Sequence, residues 1–204
     1  MIGLIDYGAG NIGNVERALK HLGRDSAALD SPDAPCSGVL EALLLPGVGS
    51  FPSAMASLFS RGWPSFISEW VRMERPLIGI CLGMQILCEG STERGWTKGM
   101  GIFQGVVDIL SGTRKLPHVG WNSLEWVVPR PGGIATRPGL DCFYFVHSYG
   151  LAPGRDTVAT TTVDETCFSS VVKRDRTIGF QFHPERSGFR GLEILSRTLK
   201  ELGV

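Results

Sequence analysis

One cysteine stands in a frame that suits nucleophilic chemistry. In the stretch PLIGICLGMQILCEG, Pro76 to Gly90, a short apolar run from Leu77 to Ile80 ends on Cys81, and an amphipathic pattern resumes at once through Met84, Gln85, Ile86 and Leu87. This predicts a sharp strand-to-helix corner with the sulfur at its apex. Gly79 before the cysteine and Gly83 after it leave that corner free of side chains where backbone and helix come close. The thiol is expected to be exposed there and to face the helix N-terminus, whose unpaired N–H groups favour the thiolate. Cys36, Cys88, Cys142 and Cys167 lack such a frame and read as packing residues.

A cysteine nucleophile needs a histidine to take its proton and an acid to hold that histidine's tautomer. Of the four histidines, His21 falls in a helix that reads as surface, and His118 and His147 fall among β segments where a structural role suffices. His183 follows the apolar segment IGFQF and precedes Pro184 and Glu185. The proline stops helical continuation and favours an extended residue before it, and in an extended segment side chains two apart share a face. Glu185 can therefore hold the His183 ring. The anionic tetrahedral intermediate of acyl transfer then needs donors. The backbone N–H of Leu82 is one, and the N–H of Val48, in the strand-end loop PGVG, is the candidate for the other. Gln85, one helical turn beyond Cys81, carries an amide that could recognise a polar end of a substrate.

The elements that must position these groups are legible in outline. A chain of 204 residues supports one sizeable core, so a single domain over 1–204 is expected. Ile2 to Ile5 reads as a strand that stops at Asp6. The turn YGAGN follows, then a helix on Ile12, Val15, Leu19 and Leu22 that ends at Gly23. Gly8 and Gly10 lack the full spacing of a dinucleotide fingerprint, and the loop has no phosphate-loop lysine. A weak strand at Ala27 to Leu29 precedes the continuously apolar Ala42 to Leu45, the mark of a strand covered on both faces. Helices are expected over Pro52 to Phe59 and Pro64 to Met73. This alternation argues for a largely parallel central sheet flanked by helices, with YGAGN, PGVGSF and the Cys81 corner at its strand carboxyl ends, where ligands of such sheets bind.

From Gly95 onward short β-branched and aromatic runs predict additional, partly antiparallel β structure. A last strand is expected over Thr177 to Phe182 and a closing helix over Gly191 to Leu202. Zero formal net charge gives no bulk case for nucleic acid, and no apolar run is long enough to span a membrane. Five cysteines without paired close spacing form neither a disulfide framework nor a metal site, and MIGLIDYG has no basic region leading into a long apolar one. The expectation is a soluble cytoplasmic protein with no metal and no cofactor.

GICLGMQ around Cys81, FHPE around His183 and PGVG around Val48 resemble the class I glutamine amidotransferases, cysteine enzymes that split the side-chain amide of glutamine and pass ammonia to a synthase. DYGAGN with NIGNVERAL, LPHVGWN and YFVHSYG resemble the subgroup that serves a cyclase of histidine biosynthesis. The resemblance covers essentially residues 1 to 203 and implies that fold. It implies Cys81, His183 and Glu185 as the triad, Val48 and Leu82 as oxyanion donors, and Gly49, Gln85, Ser148 and Tyr149 as the segment holding the amino-acid end of glutamine. It also implies Asn11, Asn14, Trp121 and Asn122 on or near the face presented to a cyclase subunit, a separate (β/α)₈ barrel forming a heterodimer with this chain. Where the family has a larger residue after the HSY tyrosine, this chain has Gly150. A glutaminase serving another synthase, such as that of pyridoxal phosphate, and a free-standing cysteine hydrolase are the competing readings. A noncatalytic subunit would have no reason to keep nucleophile, base and acid together.

Overall fold

The computed structural model describes residues 1–33, 39–127 and 142–204. Cys36 therefore lies outside the described residues. In chain order the elements are β1 (Ile2–Ile5), α1 (Ile12–His21), β2 (Ser26–Leu29), β3 (Ala42–Gly47), α2 (Phe51–Ser60), α3 (Trp63–Arg72), β4 (Leu77–Cys81) and α4 (Leu82–Ile86). Then come β5 (Gly90–Ser91), β6 (Thr97–Lys98), β7 (Val106–Ile109), β8 (His118–Ser123), β9 (Glu125–Trp126), β10 (Cys142–His147) and β11 (Tyr149–Leu151). The chain closes with β12 (Thr157–Val163), β13 (Thr166–Arg174), β14 (Thr177–Phe180), a 3-10 turn (Pro184–Arg186) and α5 (Gly188–Glu201).

Eight strands form the central sheet in the order β2-β1-β3-β4-β14-β13-β12-β9. The first five are parallel, and β13, β12 and β9 continue the sheet antiparallel. Along β3 the side chains alternate between two cores. Leu44 packs with Val15 and Leu19 of α1 and Leu195 and Leu199 of α5, while Leu43 and Leu45 pack with Leu58 of α2 and Trp63 and Ile67 of α3. A strand buried on both faces reads as an unbroken apolar run, which is why Ala42 to Leu45 shows no alternation. The remaining strands build an antiparallel ribbon of β8 and β10 and a four-stranded sheet in the order β11-β7-β5-β6. Among the described residues no helix is long and apolar enough to cross a membrane.

Local chemistry sets several boundaries. The Asn11 side chain caps α1 by accepting from the Asn14 N–H at 3.3 Å, and Gly23 follows the helix at φ +69°, a left-handed conformation that glycine takes without strain. Other boundaries differ from those the sequence suggests. β14 ends at Phe180 rather than Phe182, its last partner on β4 being Ile80, one residue before the corner at Cys81 that leads into α4. α5 begins at Gly188, ahead of the expected Gly191. α4 is only five residues long and buried on every side, not amphipathic, since it packs against β3, β4, β14 and α2 at once. Of the supposed packing cysteines, Cys88 is fully buried, Cys142 is half-buried and Cys167 is exposed. Burial pushes the Cys88 thiol well above its ordinary range.

Candidate active site

Parallel register brings the reactive groups together. Gly47 of β3 pairs with Cys81 of β4, and Ile80 pairs with Phe180 of β14, so the carboxyl ends of three adjacent strands carry the PGVG loop, the cysteine and the HPE segment side by side. Cys81 adopts φ +55° and ψ −114°, a conformation a side chain rarely tolerates, costing about 1–3 kcal/mol. The surroundings enforce it. A Cβ on Gly83 would lie 1.8 Å from the Leu45 carbonyl oxygen, and one on Gly79 would lie 2.8 Å from the backbone of Met84. Helix, corner and β3 are therefore as close as backbones can come. The thiol is not exposed as expected: Cys81 is 5% accessible, at the floor of a cavity of about 320 Å³. Val48, Gly49, Leu82, Gln85, Glu93, Pro117, Val146, His147, Ser148, Tyr149 and His183 complete its lining.

His183 is fastened from several directions. Its N–H donates to the Tyr144 carbonyl of β10 at 2.9 Å, and its own carbonyl accepts from the Ser187 hydroxyl at 2.6 Å, which in turn accepts from the Tyr144 N–H at 2.9 Å. The ring Nδ1 donates to Glu185 Oε1 at 2.7 Å, with both side chains almost wholly buried. The contact is made across the 3-10 turn rather than by alternation along an extended strand, a correction to the sequence reading. Pairing through Nδ1 leaves Nε2 as the ring nitrogen without a hydrogen-bond partner among the described residues. Burial acts to depress the His183 pKa, but the nearby Cys81 sulfur and the Glu185 carboxylate outweigh it and raise it to about 10. The paired carboxylate thus favours the protonated ring.

His147 lines the same cavity in the opposite state. Burial, opposed by the bond from Nδ1 to the Tyr149 carbonyl at 2.9 Å and reinforced by His118 and His183, lowers it to about 4. Its ring packs edge-on against Phe168 at 4.8 Å and His118 at 5.5 Å.

The remaining expected residues are distributed unevenly. Val48 is 45% exposed and Gly49, at φ +104°, has nothing within 4 Å of where a Cβ would stand. Leu82 opens α4 directly after Cys81. Ser148 and Tyr149 are half-buried cavity residues, and Gly150 packs under Leu110 and Phe168. Gln85 reaches the cavity, yet its Nε2 already donates to the Tyr149 carbonyl at 2.7 Å and to Gln181 Oε1 at 3.0 Å. Asn11, Asn14, Trp121 and Asn122 do not line the cavity. Asn11 caps α1, Asn14 bonds Arg17, Asn122 bonds His118, and Trp121, 56% exposed, stands edge-on to Tyr144 at 5.9 Å. Tyr144 is covered on another side by the Arg186 guanidinium at 4.5 Å. α1 and β10 both abut the 3-10 turn that follows His183.

Two site residues escaped the sequence reading. Glu93 lines the cavity and accepts the Phe51 N–H at 2.8 Å, capping α2 beside the glycine loop. Only the folding back of its loop onto α2 puts it there. Gln181, wholly buried, donates to the Cys81 sulfur at 3.9 Å. A polar residue inside the apolar segment IGFQF was its signal. A larger groove, about 610 Å³ between α1 and α5, contains none of these groups. Among the described residues no group of three or more His, Cys, Asp or Glu is arranged to hold a metal ion.

Comparison with known proteins gives a consistent answer. The family profile described as "Glutamine amidotransferase class-I" matches residues 3–202. The chain is 43% identical over 196 residues to "Imidazole glycerol phosphate synthase subunit HisH" of Caldanaerobacter subterraneus subsp. tengcongensis, covering 96% of this chain and 95% of that protein. It is 42% identical over 195 residues to the protein of that name in Exiguobacterium sibiricum, covering 96% and 92%. Among solved structures, one described as a glutamine amidotransferase superposes with TM-score 0.73 at 19% identity, covering 100% of this chain and 99% of the other. PurLQS from Thermotoga maritima superposes with TM-score 0.71 at 20% identity, covering 98% of each. At that identity the structural matches speak for the fold.

Proposed function

The chain is a class I glutamine amidotransferase of the imidazole glycerol phosphate synthase HisH group, and from that premise we propose that the Cys81 cavity hydrolyses glutamine and delivers the ammonia to a cyclase subunit bound as a heterodimer. The observation that carries this reading is the alignment, in one cavity, of a cysteine on a strained strand-to-helix corner with a buried imidazole held by Glu185 at 2.7 Å. The Cys81 thiolate attacks the side-chain carbonyl carbon of glutamine, and the oxyanion is received by the N–H groups of Leu82 and Val48. As the C–N bond breaks, the His183 imidazolium protonates the departing nitrogen, which leaves as neutral ammonia. The neutral ring then takes a proton from water, hydroxide attacks the thioester carbonyl, and glutamate is released with the sulfur restored.

The amino-acid end of glutamine is held by Gly49, Ser148 and Tyr149 with Gln85 behind them, and the Glu93 carboxylate supplies the charge that an α-ammonium seeks. Free ammonia in neutral water is mostly protonated and no longer nucleophilic, so sheltered transfer to the synthase preserves its reactivity. The cyclase uses it to form imidazole glycerol phosphate and AICAR. The exposed Trp121 and Asn11, near the turn that carries the base, with Asn14 and Asn122 beside them, form the docking face, and the complex works in the cytoplasm.

The test is ammonia and glutamate release from glutamine by this chain with and without the cyclase subunit. Cys81→Ser is expected to abolish glutamine hydrolysis while the complex still makes product from added ammonium salts. Retained glutaminase activity in Cys81→Ser would overturn the assignment.

A further inference from the structure

We propose that Gln181 is a positioning residue for the nucleophile, its side-chain amide fixed so that an N–H faces the Cys81 sulfur. The inference rests on the reading of Cys81 as nucleophile and adds a residue to it.

The orientation of Gln181 follows from a chain of hydrogen bonds whose direction is set at one end. The two ends of a glutamine amide are interchangeable in shape, so its orientation must be argued from its partners. Here the anchor is the main-chain carbonyl of Tyr149, which can only accept. It lies 2.7 Å from the Gln85 amide, so Gln85 must present its NH₂ group there. The second hydrogen of that NH₂ points at the Gln181 amide, 3.0 Å away, so Gln181 must present its oxygen. The Gln181 NH₂ is then forced to the other side, where the Cys81 sulfur lies at 3.9 Å. Neither amide can turn over without setting two donors or two acceptors face to face in a buried site. The backbone is held as well, since the Gln181 N–H donates to the Ser170 carbonyl at 2.9 Å and Gln181 is wholly buried.

The sulfur thus has two neighbours of opposite character. On one side the Val146 carbonyl, at 3.9 Å, can only accept a hydrogen bond and so suits the S–H form. On the other, Gln181 can only donate and so suits the thiolate. The amide holds the anion at the mouth of the corner while His183 is free to serve the leaving nitrogen. It also receives the sulfur's charge again when the thioester breaks down. Gln85 acts at one remove, and its amide N–H groups are not free for substrate.

The experiment follows alkylation of Cys81 by iodoacetamide in the full chain, quantified on the Cys81 peptide by mass spectrometry from pH 6 to pH 10, beside glutaminase kinetics in the cyclase complex. Gln181→Glu keeps an acceptor for Gln85 and puts a carboxylate oxygen where the donor was. Gln181→Met removes the donor without adding charge. For Gln181→Met, alkylation at pH 7 is expected to slow about tenfold, the order of one hydrogen bond to a charged group, with the deficit closing as pH rises and kcat falling more than KM rises. Gln181→Glu should be slower still. Gln85→Met, which leaves Gln181 in place but free to turn, should give a smaller loss with the same pH signature, and keeps the test open if a Gln181 variant fails to fold.

A wild-type alkylation rate at pH 7 in Gln181→Glu, or a deficit of equal size at every pH, would overturn the proposal. If Cys81→Ser kept glutaminase activity, the nucleophile assignment would fail and the role of Gln181 with it. If Cys81→Ser lost activity while the Gln181 variants kept the wild-type pH profile, the role of Gln181 alone would fail.

Discussion

Cys81 and His183 on one side of the cavity are held quite differently from Val48 and Gly49 on the other. The first pair sits at and just beyond the carboxyl ends of adjacent parallel strands, is almost inaccessible, and is wedged by Gly79 and Gly83 and bonded to β10 through Tyr144 and Ser187. The glycine loop is part-exposed, with open space around Gly49. Cys81, His183 and Leu82 are therefore built into the core, whereas Val48 rides on a part-exposed loop. The difference teaches where regulation can enter. A packed core resists small displacements, so a partner that acts on this site has more room to do so through the part-exposed loop.

The largest expected effect tests the firm side. His183→Ala should lower glutamine-dependent turnover in the complex by about 10²–10⁴-fold, the usual worth of positioned acid–base transfer. Glu185→Gln should cost less, because the carboxylate fixes the ring and its charge without moving the proton. Steady-state ammonia release checks both. Near-normal turnover in His183→Ala would make His147 the next candidate base.

The loose side is tested by the partner. If the Val48 N–H is withdrawn at rest and turned inward by the complex, kcat for glutamine should rise about 10²–10³-fold when the cyclase and its nucleotide substrate saturate the chain, with a smaller change in KM. Equal kcat for the isolated chain, the unliganded complex and the liganded complex would erase the contrast between the two sides.

Acid probes the firm side again. His147 is lowered to about 4 in the folded protein, whereas an unfolded histidine titrates near 6.5, so below about pH 6.5 the unfolded chain binds the extra proton and stability falls until about pH 4. The loss amounts to roughly 3 kcal/mol. His183 runs the other way: with its pKa raised to about 10, its contribution is complete below about pH 6.5 and fades as pH climbs towards 10. Urea unfolding across this range checks both limbs, and His147→Asn should flatten the acid one. The smallest effect belongs to Gly49→Ala. Nothing would collide with the methyl group, so only the strain of φ +104°, about 1 kcal/mol or somewhat more, is at stake, expressed as a shift in activation rather than a loss of fold.

The sequence was most readable where function is written in consecutive residues. The Cys81 corner announces itself through Gly79 and Gly83, because a tight turn leaves compositional marks, whereas Pro184 suggested an extended segment where the chain makes a 3-10 turn. The parallel half of the sheet was readable from the alternation of elements. The second half was legible only as β, since the pairing of β8 with β10 and of β7 with β11 is decided by partners distant in the chain. Burial of the thiol, the shortness of α4 and the placing of Glu93 all depend on how α2 and α4 pack over the strand ends. Gln181 marks the boundary between the two kinds of knowledge: its polarity amid IGFQF was visible, but its partners Gln85 and Cys81 come from β4–β14 register.

That same β4–β14 pairing has a consequence for the birth of the enzyme. Gln181 and Cys81 are 100 positions apart, so the Cys81 corner is synthesised long before the strand that leads to His183, and a contact of such sequence separation forms slowly. A nascent chain that has emerged as far as α4 owns a thiol and a glycine loop but no imidazole beside them. With the roles proposed for Cys81 and His183, a half-made subunit is expected to spare glutamine until the last strand has docked and the turn after His183 is in place.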